Sequence, residues 1–233
     1  MMKLARITGW IDKVLDVKAF SDVSNNGVQI ARAGDDVKRV AFGVDASVAF
    51  IEAAADAGAQ LAVVHHGISW GGGIARIVDG VYNVVAAAMR RNVALYAVHL
   101  PLDANHAYGN NYELARYLGL KNLTPAFVYH GEVIGCTGTL PNGKKVGICS
   151  GGAGEFATDA KNLGCDLYIT GEASWGDVIA AENVGMQMIC AGHYATETFG
   201  VKALAKAMKK ALRVDTVFIP RPSEPTTQVK ELS

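Results

Sequence analysis

Residues 39–67 read RVAFGVDASVAFIEAAADAGAQLAVVHHG, and their pattern decides the fold. Arg39 to Val44 is an apolar run of the kind that forms a buried strand. Val48 to Ala57 has helical spacing, and Gln60 to Val64 is a second apolar run. Gly58 falls where a helix ends in the left-handed region, which a residue without Cβ enters most easily. Outward from this unit, Val81 to Arg91 reads as helix, Ala94 to Val98 as strand, and about Asn111 to Leu118 as helix. Strand and helix in alternation specify a layered α/β sheet.

The second half repeats the plan. Lys145 to Cys149, Leu167 to Thr170 and Met186 to Ala191 read as strands. Gly154 to Leu163, Asp177 to Asn183 and Thr196 to Lys210 read as helices. Setting Val40 on Val146 places Gly58 on Gly164 and Val64 on Thr170 without a gap. One insertion of about a dozen residues, around Gly73 to Val84, then brings His99 onto His193 and Asp103 onto Glu197. Chance likeness between two strand–helix–strand units is one explanation. The matching His-x-x-x-acid after equivalent strands favours an internal duplication. The expected architecture is two pseudo-symmetric layered α/β lobes, residues 1–123 and 124–233, with the polar clusters in the cleft between them. Thr124 to Asn142 is read as the connection, and the tail from Pro220 as loosely held.

The 233 residues carry 22 basic and 22 acidic side chains, so net charge argues against a general nucleic-acid or membrane-surface binder. Half the residues are apolar and 26 are glycine, the profile of a folded chain. Met1 to Phe20 alternates charged and apolar residues, unlike a signal peptide. No apolar run approaches the roughly 18 residues of a spanning helix. Cys136, Cys149, Cys165 and Cys190 have no Cys-x-x-Cys spacing and read as buried free thiols. The expected location is the cytoplasm.

His65-His66 ends the second strand of the quoted stretch. Adjacent side chains on an extended strand point to opposite faces, so both enter one site only if the chain turns, and Gly67 permits a turn. His193 and Glu197 share a face if the first turn there is helical. Otherwise Thr196 or Glu197 simply caps the helix. His65, His66, Asp103, His193 and Glu197 together offer nitrogen and oxygen but no thiolate. That set suits two divalent transition-metal ions of the zinc, iron, manganese, cobalt or nickel kind. Such ions lower the pKa of a bridging water and supply hydroxide near neutral pH. Ser150 to Gly154 is either an anion-holding turn or a turn that simply needs positive φ. His99 and Glu172 are the candidate acid–base residues; otherwise His99 is an outer partner of the ligands and Glu172 an ordinary strand-end carboxylate bonded to nearby amides.

Asn25-Asn26-Gly-Val-Gln29, His65-His66-Gly67, His99-Leu-Pro-Leu-Asp103, Tyr168-Ile-Thr-Gly-Glu172 and Gly192-His-Tyr-Ala-Thr-Glu197 occur in one order. From about residue 5 to residue 220 the chain thereby resembles the Nif-three-like dinuclear metal-centre family, whose members are labelled GTP cyclohydrolase 1 type 2 homologues. The resemblance implies that His65 and His66 each bind one metal and that Asp103 binds one. It implies further that His193 joins the second metal and Glu197 bridges. It also implies a toroidal homohexamer and a hydrolase that opens the imidazole ring of a nucleotide such as GTP. No guanine-reading motif accompanies the metal residues. A non-catalytic metal-binding assembly protein and a phosphoesterase are therefore the competing readings.

Overall fold

Apolar segments punctuated by glycine become strands and helices close to the boundaries just drawn. The computed structural model describes residues 1–221. Its first run comprises β1 (Met2–Lys3), α1 (Leu4–Leu15), β2 (Gly27–Ile30), β3 (Asp36–Val37), β4 (Arg39–Asp45) and α2 (Val48–Asp56). There follow β5 (Leu61–His66), α3 (Asp79–Arg91), β6 (Ala94–Ala97), α4 (Leu100–Ala104) and α5 (Asn110–Tyr117). The second run is β7 (Lys121–Tyr129), β8 (Glu132–Thr139), β9 (Lys145–Cys149), α6 (Ala157–Asn162), β10 (Leu167–Thr170) and α7 (Trp175–Asn183). It ends with β11 (Gln187–Cys190), α8 (His193–Leu212) and β12 (Asp215–Phe218).

Two five-stranded sheets result, in the orders β12-β4-β5-β6-β2 and β11-β10-β9-β8-β7. The strands β4, β5 and β6 are parallel, as are β9, β10 and β11. Val40 faces Leu61 and Val146 faces Leu167, so the first two strands of each trio share one register. Side chains alternate between two cores, as the pleat requires. Val40, Phe42 and Val63 pack with Ile7 and Ile11 of α1 and Leu204 and Met208 of α8. Ala41, Ala62 and Val64 pack with Ile51 and Ala54 of α2 and Ala87 of α3.

Thr124 to Asn142 is not a connector: most of it lies in the antiparallel strands β7 and β8. The chain also returns at its end to the first sheet, where β12 lies parallel to β4, so the sheets do not divide the chain at 123/124. Helix α8 starts at His193 rather than Thr196. The tail expected to be loose lies, beyond residue 221, outside the described residues. Three cysteines are buried as expected, but Cys190 is exposed at the edge strand β11. Burial pushes the Cys136 thiol up to about 12, so it stays protonated and inert. Among the described residues no helix is long and apolar enough to cross a membrane.

Candidate metal centre

His65 and His66 end β5, with ring centroids 4.6 Å apart. Asp45 ends β4 directly beside His66 in the sheet register. His99 caps the five-residue α4, whose first turn Pro101 starts and which carries Asp103. His193 and Glu197 occupy the first turns of α8, entered through Gly192 at φ +94°. Because that turn is helical, the two side chains share a face, and the capping alternative falls: the helix has no side-chain cap.

Each imidazole is held by its outer nitrogen. His65 Nδ1 lies 3.0 Å from the Val98 carbonyl, so that nitrogen carries a hydrogen and Nε2 is the atom turned to the cluster. His66 Nδ1 meets Asp45 Oδ1, His99 Nδ1 meets Asp22 Oδ1 and His193 Nδ1 meets Glu172 Oε1, each at 2.9 Å. Orientation of this kind fixes the tautomer and aims the other ring nitrogen.

The inner nitrogens converge on carboxylates without hydrogen-bonding them well. His65 Nε2 is 3.4 Å from Asp103 Oδ2 and 3.5 Å from Glu197 Oε1. His66 Nε2 is 3.4 Å from Glu197 Oε2, and His193 Nε2 is 3.2 Å from Glu197 Oε1. His65 Nε2 and Glu197 Oε2 are buried and hydrogen-bond no described atom. Charge-assisted hydrogen bonds close to about 2.7–2.9 Å. Two ligand atoms each about 2.1 Å from one ion, at a tetrahedral angle, lie about 3.4 Å apart. The spacing suits ligands around a cation, and the donor set fits a divalent transition metal.

The electrostatics agree. Burial disfavours the charged form of His65, yet Asp103 and Glu197 raise its pKa well above the ordinary value. His66 is raised too, against its burial, by Asp45 and Glu197. Glu197 pushes His193 up to about 9, opposed by burial and helped by Glu172. Glu197 is lowered despite burial, first by His65 and then by the other rings. This field draws a positive charge to one point, whether proton or metal ion.

Two groups can each hold an ion: His65, His66 and His99, and His66, His193 and Glu197, with ligand atoms within 4.8 Å of one another. His99, read from sequence as an acid–base residue, thus stands among the candidate ligands. Asp103 lies outside both groups, with Oδ1 accepting from Asn110 Nδ2 at 2.8 Å and from Ser150 Oγ at 3.3 Å. Among the described residues the Glu172 side chain hydrogen-bonds the cluster only through His193. Sequence reasoning missed Asp22 and Asp45. Asp45 has a signal, an acid at the end of the strand that neighbours the histidine pair; Asp22, in a loop, has none.

The glycine-rich turn serves the cluster by its thinness. Gly151 has φ +71°, and a Cβ there would meet Glu197 Oε1 at 2.5 Å. Its amide donates to Thr196 Oγ1, and that of Ala153 to Thr170 Oγ1, so neither is left for a phosphate. Asn25 Nδ2 donates to Ser69 Oγ, at 2.8 Å, in the loop that follows the histidine pair.

Fold and cluster together define a two-sheet α/β protein whose histidine–carboxylate group can hold a metal ion. The sequence model of the Duf34/NIF3 (NGG1p interacting factor 3) family matches residues 2–144 and 141–225, and the chain belongs to that family. It is 36% identical over 250 residues to a "GTP cyclohydrolase 1 type 2 homolog" of Pyrococcus horikoshii, covering 93% of this chain and 97% of the relative. The protein of the same name from Escherichia coli is 31% identical over 246 residues, covering 95% and 99%. Among solved structures, protein ybgI, described as of unknown function, superposes with a TM-score of 0.87 at 29% identity, covering 95% and 99%. TTHA1606 from Thermus thermophilus does so with a TM-score of 0.82 at 30% identity and the same coverage.

Proposed function

We propose that this protein is a hydrolase that uses two divalent transition-metal ions and acts on a nucleotide. The observation that carries the proposal is the buried, unpartnered pair His65 Nε2 and Glu197 Oε2 inside a ring of oriented imidazoles. In this reading His65, His66, Asp103, His193 and Glu197 would hold the ions, with His99 beside them. Bound there, the ions would polarise a substrate oxygen and lower the pKa of water.

The chain's own residues do the rest. Val98, Asp45, Asp22 and Glu172 lock the four rings. Glu172 gives Oε1 to His193 and keeps Oε2 to accept or return a proton at the mouth of the cavity. That cavity, about 410 Å³, is also lined by His66, His193, Tyr194 and Arg221. Its size suits a small-molecule substrate, and Arg221 supplies a cation for a phosphate. The names of the relatives support a nucleotide, with ring opening of GTP as the specific reaction under test. The shared register of β4–β5 and β9–β10 supports pseudo-symmetric lobes around the centre. Assembly as a homohexamer belongs to the same proposal through the family resemblance, and light-scattering mass measurement tests it.

The deciding experiment measures metal per chain in the wild type, His65→Ala and Glu197→Ala, and incubates each with GTP. About two ions, lost in both variants, with formate released only by the wild type, is the expected result. Phosphate without formate would replace the cyclohydrolase with a phosphoesterase. Two ions without turnover would leave a non-catalytic metal-binding protein. Absence of metal under every loading condition would refute the proposal.

A further inference from the structure

Beside the cluster lies a second cavity, of about 360 Å³, to which the metal residues just described contribute no wall. Among the described residues its sides are mostly apolar: Val44, Phe50 and Ala53 on one side, Ile219 and Pro220 on another. Polar groups enter through Asp45, Ser47, Tyr194 and Arg221. Three of these, Asp45, Tyr194 and Arg221, also line the cavity over the cluster, so the two spaces share a wall.

The sequence explains the shared wall. His193 and Tyr194 are consecutive in the first turn of α8; the imidazole faces Glu197, while the phenol lines both cavities. Asp45 accepts from His66 Nδ1 at Oδ1 and has Oδ2 3.8 Å from Arg221 Nη1. The Arg221 backbone N–H donates to the Tyr194 hydroxyl at 2.7 Å, which leaves the phenol hydrogen to donate elsewhere. The result is an apolar space with donors and an acceptor at the side nearest the reacting centre. Binding sites for small organic molecules have this composition, an apolar lining with a few convergent polar groups. The rings of Phe50 and Tyr194 suit a flat guest.

We propose that this second cavity is the ring subsite of the substrate. It takes a planar heteroaromatic ring, purine or pyridine, whose polar substituent passes Asp45, Tyr194 and Arg221 to reach the cluster. This inference rests on the hydrolase reading and, by bringing the substituent rather than the ring to the cluster, favours its phosphoesterase form over ring opening; binding of the ring is measurable without metal. Asp45 and Tyr194 link the two spaces, since each adjoins a candidate metal ligand, His66 through a hydrogen bond and His193 through the chain.

The test is calorimetric titration of guanosine, nicotinamide and inorganic triphosphate into metal-loaded and metal-free protein, for the wild type and Ala49→Phe. Ala49 lies on the exposed side of α2 and lines the cavity, so a phenyl ring there fills the space without entering the core. One or both rings should bind the wild type with or without metal. The dissociation constant should rise at least about tenfold in Ala49→Phe, while metal content and triphosphate binding stay unchanged. Guanosine alone would identify a purine site, nicotinamide alone a pyridine site. Ala53→Leu, which narrows the same space by less, repeats the measurement should Ala49→Phe lose its circular-dichroism spectrum. Failure of both rings to bind the wild type, or equal binding to the filled variant, would overturn the proposal. Loss of the metal reading would show instead as absence of metal, with ring binding retained.

Discussion

Replacing Asp22 by asparagine should weaken the fold and the metal centre together, and the size of the first effect follows from the structure. The two Asp22 oxygens collect four donors: the Ser24 and Leu100 amides, the Asn26 side chain and His99 Nδ1. Burial opposes its ionisation, yet His99 and the hydrogen bonds hold its pKa down to about 2, from an ordinary 3.8. A depressed carboxylate stabilises the fold above its unfolded pKa and ceases to do so as pH falls through the folded value. The difference amounts to about 2 kcal/mol above pH 5, shrinks to about half by pH 3 and nearly vanishes by pH 2. Asparagine also turns one acceptor into a donor facing donors, which costs roughly another 1–3 kcal/mol independent of pH. Urea unfolding of metal-free wild type and Asp22→Asn between pH 7 and pH 3 reads both parts. With His99 no longer held, metal affinity should fall roughly 10–100-fold. A stability difference under about 0.5 kcal/mol at pH 7, or one that does not shrink toward pH 3, would refute this account of Asp22.

Glu197→Gln keeps the shape of the side chain but removes the charge that three imidazole nitrogens face. Metal affinity should fall by more than the roughly 10–100-fold typical of an outer partner, with the far-ultraviolet spectrum unchanged; full loading would show that the carboxylate binds nothing. His193 is pushed up to about 9, so a metal ion must displace its proton below that pH. Apparent affinity should therefore climb with pH, by about tenfold per unit for each displaced proton, and the His193 share of that climb should end near pH 9, whereas a flat profile from pH 6 to pH 8 would contradict the assignment. The stability of the metal-free protein should move oppositely, since a raised imidazole pKa stabilises below about 6.5 and loses its effect as pH rises through about 9. Gly151→Ala places a Cβ 2.5 Å from Glu197 Oε1 at φ +71°. It should lower metal content more than it lowers thermal stability, and a fully loaded variant would show that the turn yields freely.

Much of this was written in local pattern, and the rest depended on distant contacts. The strands β4, β5, β9 and β10 are mostly buried on both faces, so they read as continuous apolar runs. By contrast β7 interleaves exposed residues with Pro125, and β8 carries Gly135 and Gly138 where other side chains press close. Both therefore looked like a linker. The short strands β2 and β12 owe their state to the strands they join. In the site, His65-His66 and the two His-x-x-x-acid pairs announced themselves because strand ends and helical turns fix their geometry locally. Asp22 did not, since its value lies in touching a ring 77 positions away in the chain, and Asp45, 21 positions from its ring, shows only as an acid at a strand end. The His99 ring lies 5.0 Å from that of His65, and its part depends on which ring nitrogen the Asp22 loop takes.

The centre is precise because each sheet hands its helix to the other. The strand β6 of the first sheet runs on through α4 into α5, yet Tyr112 and Ala115 of α5 pack on Cys136, Val146 and Ile148 of the second. The strand β11 of the second sheet leads into α8, yet Val201, Leu204 and Met208 of α8 pack on Val40 and Phe42 of the first. The two helices meet where Gly200 donates its amide to Asn110 Oδ1 at 2.7 Å, and Asn110 Nδ2 donates to Asp103 Oδ1 at 2.8 Å. A Cβ on Gly200 would stand 2.6 Å from Asn110 Oδ1, so the approach needs glycine. The Asp103 carboxylate of α4 and the Glu197 carboxylate of α8 are thus set by the packing of both cores, not by either loop. Moving one core relative to the other would alter the 3.4 and 3.5 Å spacings around His65 Nε2 before it broke any strand pairing. Held between two close-packed cores, the spacing that suits a metal ion is a property of the whole fold.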